Sequence, residues 1–253
     1  MNDKDGSGPA GKLFVTAGLG GMSGAQPKAG NIAGVVSVTA EVNPAAAYKR
    51  HEQGWVDEIT TSADKAIDLA LEFQAEKRAR SIAYIGNIVD LWERMVERNI
   101  HVDLGSDQTS LHNPWAGGYY PLGLSYEESN EMMAHNPEEF KTRIQQTLKR
   151  HVKAINTLVE KGMYFFDYGN AFLLESGRAK ANIFQKNGMY KYPSYVQDIM
   201  GPMCFDYGFG PFRWVCSSND PNDLDISDKI AHEVLCKLYK DSADEIKLQM
   251  QDN

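Results

Sequence analysis

Cysteine is scarce in this chain. There are three, Cys204, Cys216 and Cys236, an odd number with no CxxC spacing. That pattern offers no disulfide framework and fits a reducing compartment, so a cytoplasmic protein is expected. The six histidines stand singly, and no spacing of His, Asp or Glu demands a metal. Positive charge is in deficit: 26 Lys and Arg face 34 Asp and Glu, for a net charge of −8. This argues against nucleic acid or an anionic membrane as a partner. No apolar run approaches the length that spans a bilayer. Met1 to Ala10 lacks the apolar centre of a secretion signal. Residues 1–11 read as a flexible tail. There is no internal repeat and no low-complexity segment.

What is present is an alternation of strand and helix patterns. Strands are predicted over Leu13–Ala17, Val35–Glu41, Trp55–Thr60, Ser81–Ile85, Ile100–Leu104 and Met163–Asp167. Helices are predicted over Ser23–Ala33, from Asn43-Pro44, from Ser62, and over Asn87–Glu97. Further helices are expected from the capping box Ser125-Tyr126-Glu127-Glu128, from Asn136-Pro137 to Gly162, and over Ala171–Ala181, Ser194–Met200 and Ser227–Tyr239. Such an order implies an α/β fold, a Rossmann-like parallel sheet with helices on both faces, followed by a mostly helical C-terminal part. Ligands on such sheets bind at the carboxyl ends of the strands. The loops to inspect are therefore Gly18–Gly24, Glu41–Asn43, Gly86-Asn87, Gly105–Pro121 and Tyr168–Asn170.

The first loop is Gly18-Leu19-Gly20-Gly21-Met22-Ser23-Gly24-Ala25-Gln26. A strand that delivers glycines to a helix N-terminus lets backbone N–H groups approach a pyrophosphate. The spacing is one residue longer than GxGxxG, and tight packing alone is the competing explanation. Glu41 ends the second strand, where an acid either bonds an adenosine ribose or is simply solvated; as a ribose ligand it would favour NAD over NADP. The run Asp107 to Pro114 is too polar for a core. It is a solvated loop or a ligand surface, and its place after a strand favours the ligand. Arg213, set among Phe209, Phe212 and Trp214, is either a carboxylate clamp or a surface arginine stacked on aromatics.

Taken together, GLGGMSGAQ, Ala40-Glu41-Val42, SDQTS-x-HNP with GGYYP, Phe166-Asp167-Tyr168-Gly169-Asn170 and GFGPFRWV resemble the urocanase (urocanate hydratase) family, in the family's order. The segments Lys49–Trp55 and Tyr192–Gln197 are most similar to animal and protist members. The resemblance runs from about Lys12 to the C-terminus. It implies an NAD cofactor used as an electrophile in the hydration of urocanate to imidazolonepropionate, a step of histidine breakdown, and a homodimeric full enzyme. By position, Gly20, Gly21, Met22, Ser23, Glu41, Asn87, Ile88, Gln108, Thr109, Ser110, Leu111, His112, Tyr119, Tyr120 and Tyr168 fall on cofactor contacts. Arg213 falls on the arginine expected to meet the substrate carboxylate. Many bacterial members have an arginine five residues after the acid; here Ala46 stands there, so that contact is lost or supplied by Arg50.

The family's active-site cysteine segment has no match, and none of the three cysteines replaces it. The resemblance thus implies one NAD-binding domain over residues 12–253, a fragment of a longer enzyme and inactive alone, with no catalytic residue of its own. Two other readings stand beside it: a free-standing NAD-dependent dehydrogenase, and a non-catalytic NAD-binding module.

Overall fold

The computed structural model describes residues 8–207 and 216–241. Short runs make the strands, rich in β-branched residues in β1 to β4 and aromatic in β6: β1 Leu13–Ala17, β2 Val36–Glu41, β3 Glu58–Thr60, β4 Ser81–Ile85, β5 Leu104–Asp107 and β6 Tyr164–Asp167. The helices between them are α1 Gln26–Ala33, α2 Pro44–Glu52, α3 Ala63–Ala75, α4 Ile88–Glu97, α5 Tyr126–His135, α6 Pro137–Glu160 and α7 Phe172–Arg178. Their starts are written in side chains. Asn43, Ser62 and Asn87 each accept a first-turn amide, and Ser125 with Glu128 closes both halves of a capping box.

All strand pairings are parallel, in the order β3-β4-β2-β1-β5-β6. From β1 the chain first moves one way, to β2 and the β3–β4 edge, and then returns across β1 to β5 and β6. The direction therefore reverses between β1 and β5, and a crevice opens there at the carboxyl ends of the strands.

The two faces of the sheet differ. Val36, Val38 and Ala40 join Ala66, Ile67, Ala70 and Phe73 of α3 and Trp92 of α4 in the main core. The opposite face carries small hydroxyls. Thr16 bonds Gln26 of α1 and pairs with Ser106 at 2.8 Å. A Cβ on Gly30 of α1 would lie 3.3 Å from Ser37, so α1 sits unusually close to β2. Ala83 on that face joins a small second cluster with Leu19, Ala47 and Val56.

The fifth strand differs from expectation. It was predicted at Ile100–Leu104 and lies at Leu104–Asp107, so the long loop begins at Gln108 rather than Gly105. Asp103 ends the approach, its carboxylate accepting the Leu13 amide at 2.9 Å and pairing with Lys12 at 3.0 Å. Gly105 then fits beneath Met163, Phe165 and Trp92, where a Cβ would lie only 2.8 Å from the Met163 sulfur. Leu-Gly-Ser-Asp is a poor strand by propensity, and tertiary packing overrides it.

The described residues fall into two compact units, divided between Val196 and Gln197. A wide helical turn covers Tyr195–Met200. The second unit contains α8 Gly201–Met203, a short turn at Phe205–Tyr207, and α9 Pro221–Asp241. Helix α9 starts six residues before the predicted Ser227, because Asp220 accepts the Asn222 amide at 2.8 Å and Pro221 opens the first turn. Among the described residues, no helix is long and apolar enough to cross a membrane.

Candidate functional site

The glycine turn leaves β1 with Gly18 at φ +94°, a left-handed conformation that suits glycine. Its amide donates to the Ala40 carbonyl at 2.8 Å, and a Cβ there would lie 2.8 Å from Ser23 Oγ. Arg50 of α2 holds the turn from beneath. Its Nε donates to the Leu19 carbonyl at 3.0 Å, and its Nη2 to the Gly20 carbonyl at 2.5 Å. The guanidinium also stacks over Trp55, 4.9 Å from the ring centroid. Gly24 is needed for this approach, since a Cβ would sit 2.1 Å from Arg50 Nε. Arg50 is thus spent on the turn's own carbonyls, and Ala46 faces the cleft.

Glu41 closes the turn from the β2 side. One carboxylate oxygen accepts the Leu19 amide at 2.6 Å and the other the Asn43 amide at 2.9 Å. Burial pushes its pKa up, against the pull of those amides. The Val42 amide also acts on the carboxylate, which keeps acceptor capacity for a ligand hydroxyl. At the end of β4, Asn87 caps α4 through Val89 and donates to the Tyr120 carbonyl at 3.0 Å, which ties the β4 end to the long loop.

The long loop is anchored at the end of β5. Asp107 pairs with Asp167 across the β5–β6 ladder. Its Oδ1 accepts from the Thr109 amide, the Thr109 hydroxyl and Asn170 Nδ2. Its Oδ2 is buried with no partner among the described residues. Burial, with Asp167 beside it, pushes this carboxyl up to about 6 despite those three donors. Asn170 also donates to the Thr109 carbonyl at 2.6 Å. Farther along, Gly117 turns at φ +80°, and a Cβ on Gly118 would lie 2.1 Å from the Ser110 carbonyl oxygen.

These pieces surround one cleft at the carboxyl ends of β1, β2, β4 and β5. Of the residues expected from sequence, Gly20, Ser23, Glu41, Asn87, Ile88, Gln108, Thr109, Ser110, Tyr119 and Tyr120 line it. Gln108 brings a buried Oε1 with no partner among the described residues. Five others stand elsewhere. Gly21 and Met22 are exposed on the outside of the turn. Leu111 is wholly buried in the core. His112 is exposed, with Nε2 3.1 Å from the Gly169 carbonyl. Tyr168 stacks on Tyr195 at 4.8 Å and lines a separate groove with Phe14, Gln26 and Leu104, because the chain turns away beyond β6. Arg213 lies outside the described residues, as does the rest of Gly208–Val215.

The cleft also contains residues not singled out from sequence: Gly117, Gly118 and Tyr126. Tyr126 opens α5, its ring 5.3 Å from that of Tyr120, whose hydroxyl donates to Asn130 at 3.1 Å. The capping box at Ser125 is the sequence signal that fixes Tyr126 at this rim. Among the described residues no group of three His, Cys, Asp or Glu is placed to hold a metal.

A strand–glycine turn–helix unit with strand-end polar groups is common to many enzymes, so the geometry alone does not name a family. Comparison with known proteins does. Residues 2–199 match the Urocanase Rossmann-like domain, and residues 202–252 match the Urocanase C-terminal domain. The second match begins near the division between the compact units, inside the span read from sequence as one domain. A probable urocanate hydratase of Caenorhabditis elegans is 51% identical over 250 residues, covering 96% of this chain and 37% of the relative. The urocanate hydratase of Mus musculus is 53% identical, with the same two coverages. A probable urocanate hydratase of Dictyostelium discoideum is 56% identical over 232 residues, covering 90% of this chain and 34% of the relative. The chain thus spans little more than a third of the length of these relatives. With a Rossmann-like sheet, a glycine turn clamped by Glu41 and Arg50, and a family match over most of its length, the chain belongs to the urocanase family.

Proposed function

We propose that the cleft holds the NAD dinucleotide of a urocanate hydratase. The observation that carries this reading is convergence: residues far apart in sequence, from the loops that follow β1, β2, β4 and β5, meet around one crevice at the point where strand order reverses. The residues fit the cofactor. Gly18 and Gly118 stand where a side chain has no room, Gln108 presents an unpartnered buried acceptor among the described residues, and Glu41 offers acceptor capacity at the β2 end. On this reading the glycine turn takes the pyrophosphate, Glu41 takes the adenosine ribose, and Gln108 to Ser110 lie toward the nicotinamide half. An acid at the ribose position disfavours the 2′-phosphate of NADP.

Bound NAD+ would supply an electrophilic ring for the hydration of urocanate, a small-molecule substrate. The chain's own residues bind and orient it, and Arg213 would meet the substrate carboxylate. The relatives' names support this activity for the longer protein, for which a cytoplasmic, homodimeric enzyme is proposed. No residue of this chain is assigned a bond-making role, and the chain alone is proposed to be inactive toward urocanate.

Calorimetric titration of the 253-residue chain with NAD+ and NADP+ tests the reading. Tight binding of NAD+ with weaker binding of NADP+ is expected. Glu41→Ala should reduce NAD+ affinity by roughly 1.5–3 kcal/mol, the worth of a charged hydrogen bond. No binding at millimolar NAD+ would sink the proposal. Reduction of NAD+ by an alcohol or hydroxy acid would favour a dehydrogenase instead.

A further inference from the structure

We propose that His151, in the middle of α6 and outside the cleft, is a positioning residue for the ligand-binding loop 108–121. The inference rests on the dinucleotide reading of the cleft.

Both ends of that loop face the cleft, Gln108–Ser110 at one end and Gly117–Tyr120 at the other. The stretch between them folds in on itself. Leu111 is buried, and the Gly118 amide donates to the Asn113 carbonyl at 3.1 Å. Such a knot keeps its own shape, but its position relative to the sheet depends on what ties it down. At the first end the tie is Asp107 with Asn170. At the second it is helix α6, where the Leu122 amide donates to Thr147 Oγ1 and the Tyr119 hydroxyl lies 2.9 Å from His151 Nδ1.

His151 is wholly buried, and its ring stacks parallel to Tyr119 with centroids 6.2 Å apart. The ring also meets Phe172, edge-on at 4.9 Å. The Phe172 amide donates to Asn170, the residue that holds the Thr109 carbonyl. One imidazole therefore touches Tyr119 of the second end and Phe172, which is bonded to the support of the first.

The chemistry of the contact suits a fixed strut. Burial pushes the imidazole down to about 3, so it is neutral through the physiological range. Burial also drives the Tyr119 hydroxyl well above its ordinary value. A neutral phenol on a neutral imidazole does not titrate under working conditions. His151 Nε2 is buried without a partner among the described residues. An apolar side chain would leave no such orphan on α6, but it would strand the Tyr119 hydroxyl beneath the cleft. Only the Nδ1 contact distinguishes histidine from an apolar filler here.

The test uses the 253-residue chain with NAD+ titration and amide hydrogen exchange. Tyr119→Phe keeps the ring and removes the hydroxyl. It should weaken NAD+ binding about tenfold, and the Leu111 and Gly118 amides should exchange faster while those of Val38 and Ile82 in the sheet do not change. His151→Phe should have a similar effect, and the double variant should be little worse than either single, because both remove the same bond. His151→Asn, which places an amide where Nδ1 stood, should recover most of the affinity; His151→Gln should not. Tyr119→Phe with unchanged NAD+ affinity and unchanged loop exchange would overturn the proposal. So would His151→Asn no better than His151→Phe. If His151→Phe does not fold, Tyr119→Phe alone decides. If the unaltered chain binds no NAD+, the dinucleotide reading fails, and loop exchange in Tyr119→Phe decides whether His151 fixes the loop.

Discussion

Asp107 and His151 lie buried beneath the same loop and act on stability in opposite senses. The Asp107 carboxyl titrates near 6 when folded, against an ordinary 3.8. Between these values the folded chain holds a proton that the unfolded chain has released. The stability from this group is full below about pH 4 and is lost as pH rises through 6. The slope is roughly 1.4 kcal/mol per pH unit and the total about 3 kcal/mol. His151 titrates near 3 when folded, against an ordinary 6.5. Below about pH 6.5 the unfolded chain takes up a proton that the folded chain refuses, so stability falls on acidification with the same slope. From about pH 4 to about pH 6 the two slopes cancel. Asp107→Asn breaks the cancellation with little structural cost, because an amide oxygen keeps the three donors at Oδ1 and the amide nitrogen replaces an oxygen that had no partner. Urea denaturation across this range reads the outcome. Near pH 7 the variant should be more stable than the parent by up to about 3 kcal/mol, with the difference shrinking to nothing near pH 4. Parallel pH profiles for the two chains would refute the reasoning, since they would mean that the Asp107 carboxyl carries no raised pKa.

Two further substitutions address the turn and the loop. Arg50→Met removes the charged donors from the Leu19 and Gly20 carbonyls and should lower the unfolding free energy by roughly 3 kcal/mol, read by urea denaturation. An effect below about 0.5 kcal/mol would mean the turn holds itself. Gly118→Ala drives a methyl into the Ser110 and Asn113 carbonyl oxygens, at 2.1 and 2.5 Å, so the loop has to open. NAD+ binding should be largely lost while sheet amides remain protected from exchange.

Much of this architecture was legible because its signals are local. Apolar runs mark β1, β2 and β4, and a single side chain marks each start at Asn43, Ser62, Asn87 and Ser125. The position of the cleft followed from the strand ends, since topology brings post-strand loops together whatever their sequence. Strand β5 was misplaced because its own residues are poor strand formers and its burial comes from Trp92, Met163 and Phe165. Arg50 enters only through the resemblance, as a substitute for the arginine that many bacterial members carry five residues after the acid. That it grips carbonyls some 30 residues away is a matter of how α2 packs. The Ser125 capping box places Tyr126 at the start of α5, but nothing local marks it as facing the cleft, and His151 gives no signal of position at all. Tyr168 is expected at the cofactor from the family resemblance, but beyond β6 the chain bends around Asp167, whose Oδ1 accepts the Gly169 and Asn170 amides.

The unlike faces of the sheet imply unlike tolerances to change. Under α3 and α4, where Val38, Ile82 and Trp92 fill the space, a smaller residue leaves a void, and the penalty grows with the volume lost. Under α1, where Ser37 and Thr16 meet a glycine-bearing helix at close range and Ser106 pairs with Thr16, there is little volume to lose and none to gain. A library of substitutions over Val36–Ala40 should therefore sort by side-chain size with opposite sign at alternate positions, so that five residues record which face of the sheet each one occupies.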